Sequence, residues 1–513
     1  MYRSLFCLYL PLLAGCPQPP DDTSQDSDTD PLADSDSDQI VDTADTDTAL
    51  DESDVFTSVS ADLFGATDAD ERVGGMAMDA EGSLYFTANL TGVLDLTYSD
   101  LLIGKVDADG DLAWAKIWNG PFEDSCPDAD PSGVLGGTSA TISVDSDGNP
   151  YVIGAVSPNS SNYQQWSFIA RLNPTNGSIL WERGWSPLGE VTTYDGGSRF
   201  FAVDASGPMV LAAGSSRDDA QMTLVGFDPE TGDVAFDREL DVALGQLDRA
   251  FAIRRDGLGG AYLAGSTAAN GVIIHLDDVD IGAPDVDWSY RANIATGGRI
   301  NALAVDDDGN AYATIDVDGS TDAFAWARFN LNGTVEWAKK YAGSVNANNN
   351  VDSIAVNGDD VWVGGRVGLA NGDPVLGDGL LLISERTEGA VSAAGVYFTG
   401  SEHEQRVEHR IKGIAFGGGS ASILAQSVSS TENTEHFDGL WYIAPTTTEE
   451  LDLTTTALAS VSMTTPADGD TTDTSLLRDS FGNAPTNLDW QPAADKEDGE
   501  PPDADVLVMR LAP

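Results

Sequence analysis

AVDDDGNAYA at 304–313 holds the deciding pattern: an apolar run ending in Asp, a short polar turn with Gly, and a second apolar run. This is hairpin chemistry, in which the glycine takes the positive-φ position that side chains disfavour. The pattern returns as SVDSDGNPYVIG at 143–154, AMDAEGSLYFT at 77–87, AVDASGPMVLAAG at 202–214 and AVNGDDVWVGG at 355–365. A second strand–turn–strand half follows it, as in LLIGKVDADGDLAWAKIW at 101–118, FIARLNPTNGSILWERGW at 168–185, TLVGFDPETGDVAFDREL at 223–240 and DAFAWARFNLNGTVEWAKKY at 322–341. Each full repeat thus predicts four antiparallel strands that bury their faces only against neighbouring repeats.

An array of such units is an all-β propeller. First-half turns fall near Asp79, Asp145, Asp204, Asp256, Asp306, Asn357, Gly417 and Asp479, which predicts eight blades with the last two degenerate; seven blades and an irregular C-terminal segment is the alternative. The final run, DVLVMRLAP at 505–513, reads as a third strand with no fourth behind it, and DVFTSVSADLF at 54–64 reads as a fourth strand with no blade of its own. Together they predict that the N-terminal strand of a 55–513 domain completes the last blade and removes an exposed edge.

The stretches AVDDDGNAY at 304–312 and DAFAWARFNLNGTVEW at 322–337 resemble the bacterial β-propeller repeat of secreted and surface proteins. LNPTNGSILW at 172–181 and FDPETG at 227–232 also resemble the tryptophan-bearing repeat of quinone-dependent dehydrogenase propellers, and of the outer-membrane assembly lipoprotein built on that fold. The resemblance covers about 70–345 and fades from about 400. It implies a fold and no particular activity, because propellers host unrelated functions.

The first sixteen residues, MYRSLFCLYLPLLAGC, carry Arg3, a short apolar stretch and Leu13-Ala14-Gly15-Cys16. They resemble a lipoprotein signal over 1–16 in which Cys16 is the residue acylated, and the apolar run is too short to span a bilayer. Residues 17–54 are rich in Asp, Ser, Thr and Pro and cannot bury enough apolar surface to fold, so they read as an acidic stalk. The expected address is the cell envelope, at the periplasmic or surface face of the outer membrane, with the membrane touched only through the lipid.

The formal net charge is −59, from 84 acidic and 25 basic residues. Repulsion excludes nucleic acid and anionic lipid as contact surfaces. With Cys7 lost in the signal and Cys16 acylated, Cys126 stands alone in an acidic stretch, so no internal disulfide forms and a thiolate is disfavoured.

No cofactor is expected. The turns at Asp107-Asp109-Asp111, Asp145-Asp147-Asn149 and Asp306-Asp308-Asn310 match the first half of a calcium loop, but Trp118, Val156 and Val317 stand where its bidentate carboxylate belongs. Calcium is left open and turn chemistry preferred. The histidines at 275, 403, 409 and 436 have no metal-binding spacing, which favours structural roles. Trp114, Trp181, Trp288 and Trp337 share one repeat position, which points to packing between blades.

Two sets of residues remain as binding candidates. Arg72, Arg199, Arg249, Arg299 and Arg410 precede the first-half turns by seven or five residues, offsets of one parity, and so form a candidate ring at a channel mouth; pairing with Asp on an adjacent blade is the competing account. Phe122, Tyr163, Trp166, Tyr194 and Trp490 fall in long links that leave one end of the propeller, where a rigid scaffold usually carries its binding surface. The chain is expected to be a monomeric scaffold binding an envelope or extracellular protein or glycan. The alternative is an envelope enzyme at the channel mouth: a quinone-dependent dehydrogenase, lyase or hydrolase.

Lipidation at Cys16 is directly measurable. Cys16→Ala should leave the chain unprocessed or shed from membranes, and mass spectrometry of the mature N-terminus should show an acylated cysteine; an unmodified residue there refutes the assignment.

Overall fold

The computed structural model describes residues 59–511 apart from a set of links between strands, among them 126–141, 188–197, 473–485 and 493–503. Contacts divide the chain at residue 50, and every described residue belongs to the second unit. Its strands form seven sheets, the blades of a propeller. Blade 5 shows the plan: Gly298–Val305, Ala311–Val317, Ala323–Phe329 and Val335–Ala342 lie in consecutive antiparallel order. Blades 1 to 4 and 6 repeat it, their innermost strands being Asp70–Met78, Ile142–Val144, Arg199–Asp204, Asp248–Arg255 and Asn350–Asn357.

Blade 7 closes the circle. Its order is His409–Gly417, Ser420–Val428, Ala504–Leu511 and then Val59–Gly65, with Val59 opposite Leu511 and Phe64 opposite Val506. The N-terminal strand therefore supplies the fourth strand of the last blade, as its unpartnered apolar pattern predicts.

The blade count is seven, the alternative, and not eight. Asp479 lies outside the described residues, but the strands on either side of it, Asp470–Thr472 and Thr486–Asn487, are outer strands of blades 2 and 1. They belong to a belt. Phe437–Tyr442, Thr448–Glu450, Thr454–Ala457, Ser462–Thr464, Asp470–Thr472, Thr486–Asn487 and Gln491–Pro492 add a fifth strand to blades 6, 5, 4, 3, 2, 1 and 7 in that order. The chain thus runs once around the rim, against the order of the blades, before returning to blade 7. Each belt strand pairs antiparallel with the end of a fourth strand: Lys339 faces Glu450, with an ion pair, and Asn293 donates to Thr456 Oγ1 at 2.8 Å. The segment is rich in Thr and Asp and lacks the long apolar runs of a blade, so it satisfies edge backbone groups without building a core.

The core lies between blades. Tyr151 and Ile153 of blade 2 pack with Phe200, Val203 and Val210 of blade 3, and Tyr262 and Ile273 of blade 4 with Ile300, Leu303 and Phe329 of blade 5. The tryptophans lock these interfaces as their shared position predicts. The indole N–H of Trp114, Trp181, Trp288 and Trp337 donates to the carbonyl of Pro174, Pro229, Leu331 and Arg386, each in the third-to-fourth-strand turn of the next blade. A positive-φ glycine of that turn lies beneath each ring. At Gly389 (φ 67°) a Cβ would sit 2.6 Å from Trp337 Cε3, so both backbone conformation and space require glycine.

Closure is tested by truncation. Removing residues 55–65 should unpair Ala504–Leu511 and cause aggregation or a large fall in melting temperature, whereas removing 17–50 should leave the melting temperature unchanged. Equal melting of the two would contradict the closure.

Candidate functional site

The inner strands share an irregularity that no single strand reveals. The register slips by one residue between Val73 and Met76, Phe200 and Ala202, Ala250 and Ala252, Ile300 and Ala302, Val351 and Ser353, and Ile411 and Gly413. Each of these bulges, in six of the seven blades, inserts one extra residue into the inner strand. In blades 3, 4 and 6 the second strand carries glycine opposite the slip, where the backbones approach: at Gly214 a Cβ would fall 1.8 Å from the Arg199 carbonyl oxygen.

The bulge residues Phe201, Phe251, Asn301, Asp352 and Lys412 are all buried. The Phe201 and Phe251 rings meet edge to face at 5.4 Å, and Asn301 Nδ2 donates to the Val351 carbonyl at 3.1 Å. Arg410 of blade 7 grips the fully buried Asp352 of blade 6 through both Nε and Nη2. Burial works to raise the Asp352 pKa, but the charges of Arg410, Lys412 and Arg366 outweigh it and hold the carboxyl below its ordinary range. The innermost residues are thus apolar on one side and charged on the other. A small cavity beside the charged side is lined by Met76, Ala252, Ala302, Arg254, Asp352 and Lys412 among others.

The five candidate arginines all share one register. Arg199, Arg249, Arg299 and Arg410 stand two residues before the bulge, and Arg72 stands two before the Gly74–Gly75 slip. In blade 6 that place belongs to Asn350, which with its amide oriented to accept takes a hydrogen bond from Arg366 at 2.9 Å. Arg299 pairs with Asp316 on the next strand of its own blade at 2.8 Å, and Arg410 pairs across the blade boundary with Asp352. Arg410 follows the adjacent-blade pattern, and Arg299 makes a pair within its own blade.

Of the aromatic candidates, Phe122, Tyr163, Tyr194 and Trp490 lie outside the described residues, as does Cys16. Trp166 begins the third strand of blade 2, its backbone opposite Val156.

The tight-turn end carries a second polar array. In blades 1, 2, 4 and 5 a turn Asp, a second-strand Tyr, a third-strand cation and a fourth-strand Trp meet: Asp306, Tyr312, Arg328 and Trp337 in blade 5. Asp306 Oδ1 accepts the N–H groups of Asp308 and Asn310, and Asp145 does the same for Asp147 and Asn149, which is turn chemistry as the missing twelfth ligand implies. The cations of blades 1 and 2 are Lys105, 3.9 Å from Asp79, and Arg171. Blade 4 has His275. In blade 3 the third-strand place is Gly226, and Arg255 reaches in from blade 4 to bind Asp204 at 2.9 Å.

No family model matches this chain, and no curated protein matches it. Among solved structures it is similar to a quinohemoprotein alcohol dehydrogenase from Comamonas testosteroni, at 12% identity over 72% of this chain and 67% of that one, with a TM-score of 0.38. It is also similar to the β-propeller domain of a trilobed protease from Pyrococcus furiosus, at 10% identity over 78% and 97% of the two chains, with a TM-score of 0.36. A phage phi92 endosialidase matches at 10% identity over 75% and 68%, with a TM-score of 0.35. Each of these proteins' chemistry remains its own.

His409, at the start of blade 7, is buried, and desolvation lowers its pKa from 6.5 to about 4. The folded state then binds fewer protons than the unfolded state between these values, so stability should fall as pH drops from 6.5 toward 4, by about 2–3 kcal/mol at pH 4.5. Asp352 and Asp204, held low, lose their contribution only below about 3.8. Urea unfolding at pH 7 and 4.5 should therefore show a smaller difference for His409→Leu than for the parent chain, and equal differences would remove His409 from the account.

Proposed function

We propose that this chain is an exported, lipid-anchored binding module of the cell envelope. A lipid on Cys16 and the acidic stalk over 17–54 hold a seven-bladed platform away from the membrane, and the long-link end takes up an envelope or extracellular protein or glycan. The observation that carries this reading is the repetition of the polar array at the tight-turn end. An Asp–Tyr–cation–Trp set recurring in four blades, with each Trp bonded to the next blade, is a device of assembly. A site for one partner would be made once, from side chains that differ between blades.

The opposite end has that character in its sequence. Its links vary in length and composition, as in SPNSSNYQQW at 157–166 and SPLGEVTTYDGG at 186–197, and they bring aromatic residues to a chain otherwise dominated by Asp on its polar positions. Aromatic side chains give large contact area for little conformational entropy, and neutral anchors avoid the repulsion that so acidic a chain imposes on anionic partners.

Pull-down from an envelope extract with the 55–513 domain tests the reading. Replacing Tyr163, Trp166 and Tyr194 together by Ala should abolish capture of the partner while the domain still unfolds in one cooperative transition. Capture that survives the triple variant places the binding surface elsewhere.

A further inference from the structure

Blade 4 departs from its siblings at the cation position, and the departure builds a cluster of metal-ligating atoms. Blades 1, 2 and 5 hold Lys105, Arg171 and Arg328 there, whereas blade 4 holds His275, which is buried. His275 Nε2 lies 3.1 Å from Asp256 Oδ2. The other oxygen of Asp256 accepts the N–H groups of Leu258 at 2.7 Å and Gly260 at 2.9 Å, so this carboxylate is fixed as an acceptor. The imidazole is stacked on Trp288, with 5.6 Å between ring centres and 18° between planes, and touches Tyr262 at 4.8 Å. A histidine held this way donates from Nε2 and turns Nδ1 toward solvent, which is how a carboxylate orients a metal-binding histidine.

Nδ1 faces two more carboxylates, Asp287 Oδ2 at 3.2 Å and Asp277 Oδ1 at 3.8 Å. The three ligand atoms lie within 4.8 Å of one another, and both aspartates are well exposed. Donor atoms around a tetrahedral ion with bonds of 2.0–2.2 Å are separated by about 3.3–3.6 Å. The sequence around the histidine is rebuilt to match. The siblings' Asp107, Asn173 and Asn330 occupy the place of Asp277 and spend their side-chain oxygen on turn N–H groups. In blade 4 the turn is longer, passes through Asp278 at φ 57° and the 3-10 turn Val279–Ile281, and closes through backbone bonds from Gly282 to Val279 and from Ala283 to Asp278. Asp277 is left facing the imidazole.

We propose that His275, Asp277 and Asp287 form a site for a first-row divalent transition ion such as Zn²⁺, with Asp256 as the positioning residue and water completing the coordination. One imidazole and two carboxylates suit such an ion, while Ca²⁺ calls for six to eight oxygens. The rival occupant is a proton. An imidazolium bridging Asp256 and Asp287 would copy blade 5, where Arg328 lies 3.8 Å from Asp306 and 3.0 Å from Glu336. The two readings differ at Asp277, which a metal needs and which is too far from Nδ1 for the proton bridge.

Isothermal titration of the chelator-treated full chain with Zn²⁺ at pH 7.5, in parallel with Ca²⁺, separates them. The expected result is a saturable Zn²⁺ site of unit stoichiometry that Ca²⁺ does not fill, weakened about tenfold or more in Asp277→Asn and His275→Arg. His275→Arg restores the cation of the sibling blades and should keep the fold; if it fails to fold, the exposed Asp277→Asn carries the test alone. Zn²⁺ affinity unchanged by Asp277→Asn, or no saturable Zn²⁺ site in the parent chain, overturns the proposal and leaves the proton as occupant.

Discussion

The indole laid over a glycine of the next blade is the contact on which the arrangement rests. A propeller has no central core, so each blade must recognise its neighbour at a defined angle, and a large flat ring bonded through one N–H to a fixed carbonyl does this. At Trp114, Trp181, Trp288 and Trp337 the indole bonds the next blade's turn, and a positive-φ glycine of that turn leaves room for the ring. Such a half-buried bond contributes about 1 kcal/mol net, but leaving the N–H without its acceptor would cost more.

Where the tryptophan is missing, other chemistry stands in. Between blades 3 and 4 the fourth-strand residue is Phe236, and Arg255 crosses the boundary to Asp204, whose carboxyl is held low by Arg255, Arg254 and Ser206 against the effect of burial. Between blades 6 and 7, Trp362 meets Phe416 edge to face and Arg410 grips Asp352. Between blades 7 and 1, Arg510 donates to the carbonyls of Asp107 and Ala108. Two devices hold the circle shut from outside these interfaces: the N-terminal strand in blade 7 and the belt over 437–492. Closure by strand and belt removes the open edge on which an acidic but strand-rich chain would otherwise aggregate.

The same array also explains how one blade could take on a ligand without disturbing the rest. Tyr262 and Trp288 keep their bonds to the next blade and Asp256 keeps its turn bonds, and the change falls on the cation and on the turn behind it. Repeat folds can vary there because each blade's stability depends mainly on its two neighbours.

Local spacing carries the hairpin repeat, the four-strand blade, the packing role of the tryptophans, the turn chemistry of Asp145 and Asp306, and a closing strand expected at 54–64 and found at Val59–Gly65: Asp before Gly, alternation of period two, Trp at a fixed offset. It also placed five arginines in one register. The rest depends on how strands meet across and between blades. A bulge shifts one strand against another and leaves no mark on the alternation of either, so the buried Phe201, Phe251, Asn301, Asp352 and Lys412 were not legible. The belt is not legible as a belt, and its turn at Asp479 counts toward an eighth blade, because a short Thr- and Asp-rich strand pairs through its backbone and carries no apolar signature of its own. His275, Asp277 and Asp287 converge across two strands and a rebuilt turn, and which side chains meet across a sheet is fixed by register, which local sequence does not encode.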